Sequence, residues 1–145
     1  MAYEKLREKY NLELMVVGDG PERKYLESLS GDVKFTGVIS NTEMLYQMAD
    51  IFVSPSEYGE GVQGTILEAM STGLKIVATD SKINRVLLDQ ERGVIVESNI
   101  DAIVSGIEQA IKMDAQRTAN KTRKYIIENY SWLAKTTEMR KDILK

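Results

Sequence analysis

Histidine and cysteine are both missing from this sequence. Without cysteine there is no disulfide framework, no thiolate nucleophile and no thiolate metal site, which fits a reducing compartment. Without histidine the commonest general base and the commonest metal ligand are gone, so catalysis would rest on carboxylates or on the substrate itself. No apolar run reaches the roughly eighteen residues of a membrane-spanning helix, and the polar opening residues do not read as a signal peptide. Charge is nearly balanced, with 19 Lys and Arg against 22 Asp and Glu, and the net −3 argues against general nucleic-acid binding. The balance is uneven: residues 112–145 hold nine basic against four acidic residues, a net +5 that leaves about −8 elsewhere. The plain reading of that basic tail is a solvated helix face, and an anionic partner or membrane surface is the alternative.

What is present is ordinary for a globular chain. Hydrophobic residues make up 43% of the 145 and charged residues 28%, enough for one domain with a real core, expected over 1–145. Apolar periodicity predicts helices over 2–10 and 23–29, with Pro21 at the first turn of the second. A third runs to Met48 from a cap at Ser40 or Asn41. Short apolar runs at 12–17, 33–35, 51–53, 76–78 and 94–96 read as five strands. A short helix follows Asp80, another begins at Asn99 or Asp101, and two more, 116–130 and 132–144, meet at Ser131 as a cap. Strands alternating with helices predict a doubly wound parallel α/β sheet, with helices on both faces.

The stretch 49–80 carries the chemistry. It reads as strand, acidic glycine-bearing loop, helix from Thr65 stopped by Gly73, and second strand. Glu60 in the loop and Glu68 about one turn into the helix are separated by seven residues. Gly61 and Gly64 let the backbone approach a ligand, and the helix start offers unpaired N–H groups. Anion-binding amides flanked by two hydroxyl-accepting carboxylates suit a sugar nucleotide. Taken alone, in an arbitrary chain, the two glutamates are more readily a solvated loop charge and a helix-surface charge beside the helix's positive end.

Pro55-Ser56, Glu60-Gly61, Leu67-Glu68-Ala69-Met70 and Thr72-Gly73 resemble the E-x7-E signature of retaining GT-B glycosyltransferases of family 4, the glycosyl transferases group 1. Val17-Gly18-Asp19-Gly20-Pro21, Val33-Lys34-Phe35-Thr36-Gly37 and Ala49-Asp50-Ile51 match the family in the same order, so the resemblance runs from about residue 12 to 132. It implies the C-terminal, donor-nucleotide half of such an enzyme, a Rossmann-like domain. Glu60 would be the catalytic carboxylate near the donor sugar. Glu68 would take the ribose hydroxyls, and Gly61, Val62 and Gln63 would lend amides. Gly18, Asp19 and Gly20 would meet the nucleotide, and the backbone of Val38 and Ile39 the base edge. Read from the residues alone, Gly18 to Pro21 is equally a strand-to-helix turn, and Tyr58 is either a stacking lid or an exposed aromatic.

The resemblance implies a UDP- or GDP-linked sugar as donor, no cofactor and no metal. It also implies a hexose moved to a saccharide or lipid-linked acceptor, and a cytoplasmic place, at the inner membrane surface in the parent enzyme. The family's domain opens with one more strand and a basic loop, and is partnered by an acceptor-binding N-terminal domain; the sequence is expected to lack all three, as an excised domain inactive by itself. Closure of the remaining strands would give the flavodoxin-like order 2-1-3-4-5, the competing outcome being a strand supplied by another chain. Apolar surface left uncovered would favour a homodimer. The second reading is a non-catalytic nucleotide-binding or self-association domain, and a flavodoxin-like signalling domain is a third. Departures from the family pattern at Gly61-Val62-Gln63-Gly64, Leu74-Lys75 and residues 81–85 leave the donor open. Lys82 or Arg85 would then contact phosphate, or be plain surface charges, the reading preferred here.

Overall fold

The computed structural model describes residues 1–56 and 64–143. The chain divides into two compact units, residues 1–45 and 46–145, each described by itself.

The first unit holds helix α1 (Ala2–Arg7), strand β1 (Met15–Val16), helix α2 (Arg23–Leu29), strand β2 (Lys34–Phe35) and the start of helix α3 (Glu43–Met48). The sequence predicts a strand over 12–17, and the half-buried/exposed alternation does run through residues 11–18. Regular parallel pairing is confined to Met15 opposite Lys34 and Val16 opposite Phe35. Hydrogen bonds from Lys34 N–H to Leu14 O (2.9 Å) and from Thr36 N–H to Val16 O (3.1 Å) carry the pairing through these two residues. Leu6 of α1 is buried and anchors that helix, while an ion pair between Arg7 and Asp32 (2.6 Å) is exposed at both ends and contributes little.

The second unit contains the end of α3, then β3 (Ile51–Ser54), α4 (Gly64–Thr72), β4 (Lys75–Thr79), α5 (Lys82–Leu87), β5 (Gly93–Val96), α6 (Ile100–Lys112), α7 (Ala115–Tyr130) and α8 (Trp132–Ile143). The three strands are parallel, with β4 in the middle: Phe52 pairs with Ile76, and Val77 with Val94. Side chains of a strand alternate between faces, and β4 shows it. Ile76 and Ala78 enter a core with Ile66, Ala69, Met70, Leu87 and Leu88, whereas Val77 enters a second core with Val96 and Ala110 of α6. A strand buried on both faces is the doubly wound arrangement that the sequence predicts. Full burial of each large side chain here is worth about 1.5–3 kcal/mol.

All five expected strands form. They lie, however, in two parallel sheets, β1-β2 and β3-β4-β5, rather than in one sheet of order 2-1-3-4-5. Neighbours within each sheet follow that order, but among the described residues β1 and β3 share no ladder. The division falls between the two strands that the family resemblance separates by a further one.

Helix starts in the second unit are set by short polar side chains. Asn99 Oδ1 accepts from Ala102 N–H (2.8 Å), Asp114 Oδ1 from Arg117 N–H (2.7 Å), and Ser131 Oγ from Ala134 N–H (3.1 Å). Gly73 ends α4 at φ 87°, and a Cβ there would stand 2.8 Å from Ala119 of α7. The buried Arg92 guanidinium stacks 3.7 Å from the Tyr125 ring centre and pairs with Asp89, fixing α7 to the turn before β5.

Gly106 brings α6 against the sheet: a Cβ at this position would collide with Val96 and stand 3.1 Å from Val77. Alanine would raise helix propensity by about 1 kcal/mol, but overpacking costs about 1–3 kcal/mol. Gly106→Ala is therefore expected to lower stability in a denaturant titration, while the exposed Ser105→Ala stays within about 0.5 kcal/mol of the parent.

Candidate functional site

In the first unit the candidate residues gather at the carboxyl ends of β1 and β2, where doubly wound sheets bind ligands. Gly18 (φ 121°) donates its N–H to Gly37 O (2.9 Å), and Gly37 (φ 69°) is itself left-handed. Both conformations favour glycine, which explains a glycine in each turn. This bridge puts Gly18-Asp19-Gly20 beside Val38 and Ile39, two groups that the sequence assigns separately to one nucleotide. The Asp19 carboxylate is occupied locally: Oδ1 accepts from Gly20 N–H (2.8 Å) and Oδ2 from Arg23 (3.2 Å), whose Nε also donates to Glu27. Asp19 therefore shapes the turn, its carboxylate being engaged within it. Val38 is 81% exposed and Ile39 half-buried.

In the second unit, Glu60, Gly61, Val62, Gln63 and Tyr58 lie outside the described residues. Both ends of their loop are described. At the β3 end, the buried Thr79 hydroxyl donates to Ser56 O, and the buried Asn84 amide donates to Thr79 O (2.8 Å). Ser81 Oγ accepts from Asn84 N–H (3.0 Å) and caps α5. This polar chain joins the carboxyl ends of β3 and β4 to α5 and fixes the backbone at Ser56. At its other end the loop enters α4 at Gly64, whose early N–H groups have no partner inside the helix.

Glu68 stands on the exposed side of α4, between Ile66 and Met70, which are buried. Its charge is felt by the phenol of Tyr46 in α3. The Tyr46 ring lies 5.8 Å from that of Phe52, against the core of Ile66, Ala69 and Met70. Burial first, and then the hydrogen bond to the Glu68 carboxylate and its charge, push the Tyr46 hydroxyl up to about 12. It thus remains a donor throughout the neutral range. Tyr46 is not among the residues singled out in the sequence. Its signal there, an aromatic four residues ahead of Asp50 on a helix running into a strand, is that of a core residue.

Arg85 grips Asp80 with two hydrogen bonds, Nε to Oδ1 (2.6 Å) and Nη2 to Oδ2 (2.5 Å), which hold the Asp80 carboxyl below its ordinary range. The paired arginine accords with the surface-charge reading preferred for it, and Lys82 is exposed. Among the described residues no group of three or more carboxylates could hold a metal ion.

The family model of the glycosyl transferases group 1 matches residues 1–113. The chain belongs to that family. This group 1 glycosyltransferase domain is 30% identical over 150 residues to an uncharacterized glycosyltransferase of Methanocaldococcus jannaschii, an alignment covering 94% of this chain and 38% of that protein. It is 31% identical over 130 residues to a GDP-mannose-dependent alpha-mannosyltransferase of Mycolicibacterium smegmatis, covering 87% and 33%. Among solved structures, a Rickettsia africae glycosyltransferase superposes with TM-score 0.84 at 24% identity over 99% of this chain and 43% of its own. Anabaena HepE, crystallised with UDP and glucose, does so with TM-score 0.79 at 19% identity over 99% and 44%. The structural likenesses show the Rossmann-like fold. The domain spans between 33% and 38% of the length of these two curated relatives.

The raised Tyr46 value makes an alkaline prediction. Its neutral phenol contributes stability that is fully present below its ordinary value of 10.0 and is lost as pH rises toward about 12. In Glu68→Ala the hydrogen bond and the neighbouring charge disappear and only burial remains. The Tyr46 transition, followed by its ring-carbon NMR shift, is expected to move down toward 10.0, and an unmoved transition would place the contact elsewhere.

Proposed function

We propose that this domain is the nucleotide-sugar-binding part of a retaining glycosyltransferase that moves a hexose from a nucleoside diphosphate to a saccharide or lipid-linked acceptor. The observation that carries the reading is Glu68. It stands near the start of a helix that follows a strand's carboxyl end, within a chain of the group 1 family. In this reading Glu68 accepts the ribose hydroxyls. Glu60 approaches the donor sugar, and the amides of Gly61, Val62 and Gln63 take the diphosphate together with the start of α4. The backbone at Gly18, Asp19 and Gly20 meets the nucleotide, and that at Val38 and Ile39 the base.

A UDP- or GDP-linked donor is supported by two relatives: HepE was crystallised with UDP, and the M. smegmatis relative is named for GDP-mannose. No metal or cofactor enters this scheme: a positive helix end and backbone N–H groups stabilise the departing diphosphate. Transfer requires an acceptor brought to the donor in a cleft closed to water, so the 145 residues alone are proposed to bind without turning over. An acceptor-binding domain would complete that cleft, in a cytoplasmic enzyme working at the inner membrane surface.

A second reading, a domain that binds nucleotide without catalysis or serves self-association, is favoured by exposed apolar side chains. In the second unit Trp132 is 89% and Leu133 78% exposed.

An amide NMR titration with UDP, GDP and ADP in turn tests the first reading. One of UDP and GDP is expected to shift residues 18–20, 37–39 and 60–68, and Glu68→Ala to weaken it on the order of tenfold, as for loss of a charged hydrogen bond. No shift at millimolar nucleotide would overturn the donor-site reading, and concentration-dependent mass without nucleotide affinity would support self-association.

A further inference from the structure

Glycine turns follow both β1 and β2, and one side chain touches the two of them. Arg23 opens α2, its backbone N–H donated to Gly20 O (3.1 Å). Its guanidinium reaches back to the first turn, where Nη1 donates to Asp19 Oδ2 (3.2 Å), while Nε donates to Glu27 Oε1 (2.8 Å) further along α2. The other oxygen of Asp19 accepts from Gly20 N–H (2.8 Å), so guanidinium, carboxylate and turn backbone are linked. The same Nη1 lies against the second turn: a Cβ on Gly37 would stand 3.0 Å from it. Glycine at 37 thus answers two demands, the φ of 69° and the arginine that crowds the place of a side chain. The Arg23 side chain is 32% exposed, against 51% for Asp19 and 42% for Glu27, and pairs this open add little stability. What they decide is orientation. A planar guanidinium held at both Nε and Nη1 keeps its plane.

We propose that Arg23 is a positioning residue for the nucleotide: by gripping Asp19 and lying against Gly37, it sets the spacing between the Gly18–Gly20 backbone and the backbone of Val38 and Ile39. This inference rests on the donor-site reading and adds to it the group that makes two turns one surface. Gly18 N–H to Gly37 O (2.9 Å) is a single hydrogen bond, about which two turns can still twist. Val38, the next residue, is exposed and gives the second turn no apolar anchor. Arg23 supplies a second point of contact, and two points hold what one cannot. Backbone groups that meet a nucleoside bind it well only when their spacing is set beforehand, because turns ordered during binding cost affinity. Arg23 thus acts through the turns and not by touching the ligand.

The test compares Arg23→Met, which keeps a long stem and removes the guanidinium, with Arg23→Lys, which keeps the charge without the planar fork. Dissociation constants of the full chain for UDP and GDP are measured by amide NMR. Arg23→Met is expected to weaken whichever nucleotide binds by about three- to tenfold, the range for one lost hydrogen bond. Arg23→Lys should lose as much, since a point charge cannot hold Asp19, Glu27 and the Gly37 turn in one plane. In both ligand-free variants the amides of residues 18–20 and 37–39 should shift, while those of Lys34 and Thr36, bonded within the β1-β2 ladder, stay in place. Unchanged affinity in Arg23→Met would overturn the inference and leave the donor site standing. So would full binding by Arg23→Lys, which would assign the effect to charge, and so would displaced ladder amides, which would assign it to folding of the first unit. Absence of binding by either nucleotide to the parent chain would overturn both readings.

Discussion

Burial of β4 on both faces is the constraint on which the second unit depends. Ile76, Val77 and Ala78 are all inaccessible to solvent, so one three-residue segment serves two cores. Because successive side chains point to opposite faces, the choice of register decides at once which residues meet α4 and which meet α6. A slip by one residue would send Ile76 toward Gly106, where the helix already approaches too closely for a methyl group. The glycine and the register therefore enforce each other. The polar chain at the carboxyl end follows from the same register, since Thr79 pairs with Val96 and directs its hydroxyl to the backbone beyond β3.

The candidate site inherits its order from that strand. Ser56 is fixed from below by Thr79, and α4 is fixed by Ile66, Ala69 and Met70 in the core. Ser56 and the start of α4 thus both rest on the layer that holds the three strands, as a scaffold for functional residues requires. Tyr46, whose phenol feels the Glu68 charge, stands on the same core through Phe52. Its surroundings join an apolar support to a single polar contact at the rim, a common composition for ligand sites.

Much of this was legible in the sequence. The helix starts at Asn99 and Ser131, the stop at Gly73 and the apolar runs of β3, β4 and β5 each have a local cause, and local causes can be read from neighbouring residues. The family was legible too, since its motifs keep their order along the chain. Less legible was the partition of strands into two sheets, because a ladder depends on what stands at the other edge and no local pattern records it. The length of β1 was overread for a similar reason. Alternating exposure over residues 11–18 has the period of a strand, but regular pairing reaches only Met15 and Val16. Of the proposed site residues, the pairing of Gly18 with Gly37 joins two motifs that the sequence could only align. The nearness of Tyr46 to the Glu68 charge was hidden because its aromatic ring has the periodic signature of a core residue.

The solvent-facing position of Trp132 has a spectroscopic consequence. It is the single tryptophan of the chain and stands 89% exposed at the start of α8. An indole already in water changes its emission little when the chain unfolds, so intrinsic fluorescence would be nearly silent about the loss of the β4 cores. The same indole would turn blue as soon as any apolar surface settled over α8. The protein thus carries a built-in optical probe that is blind to its own interior and sensitive to company.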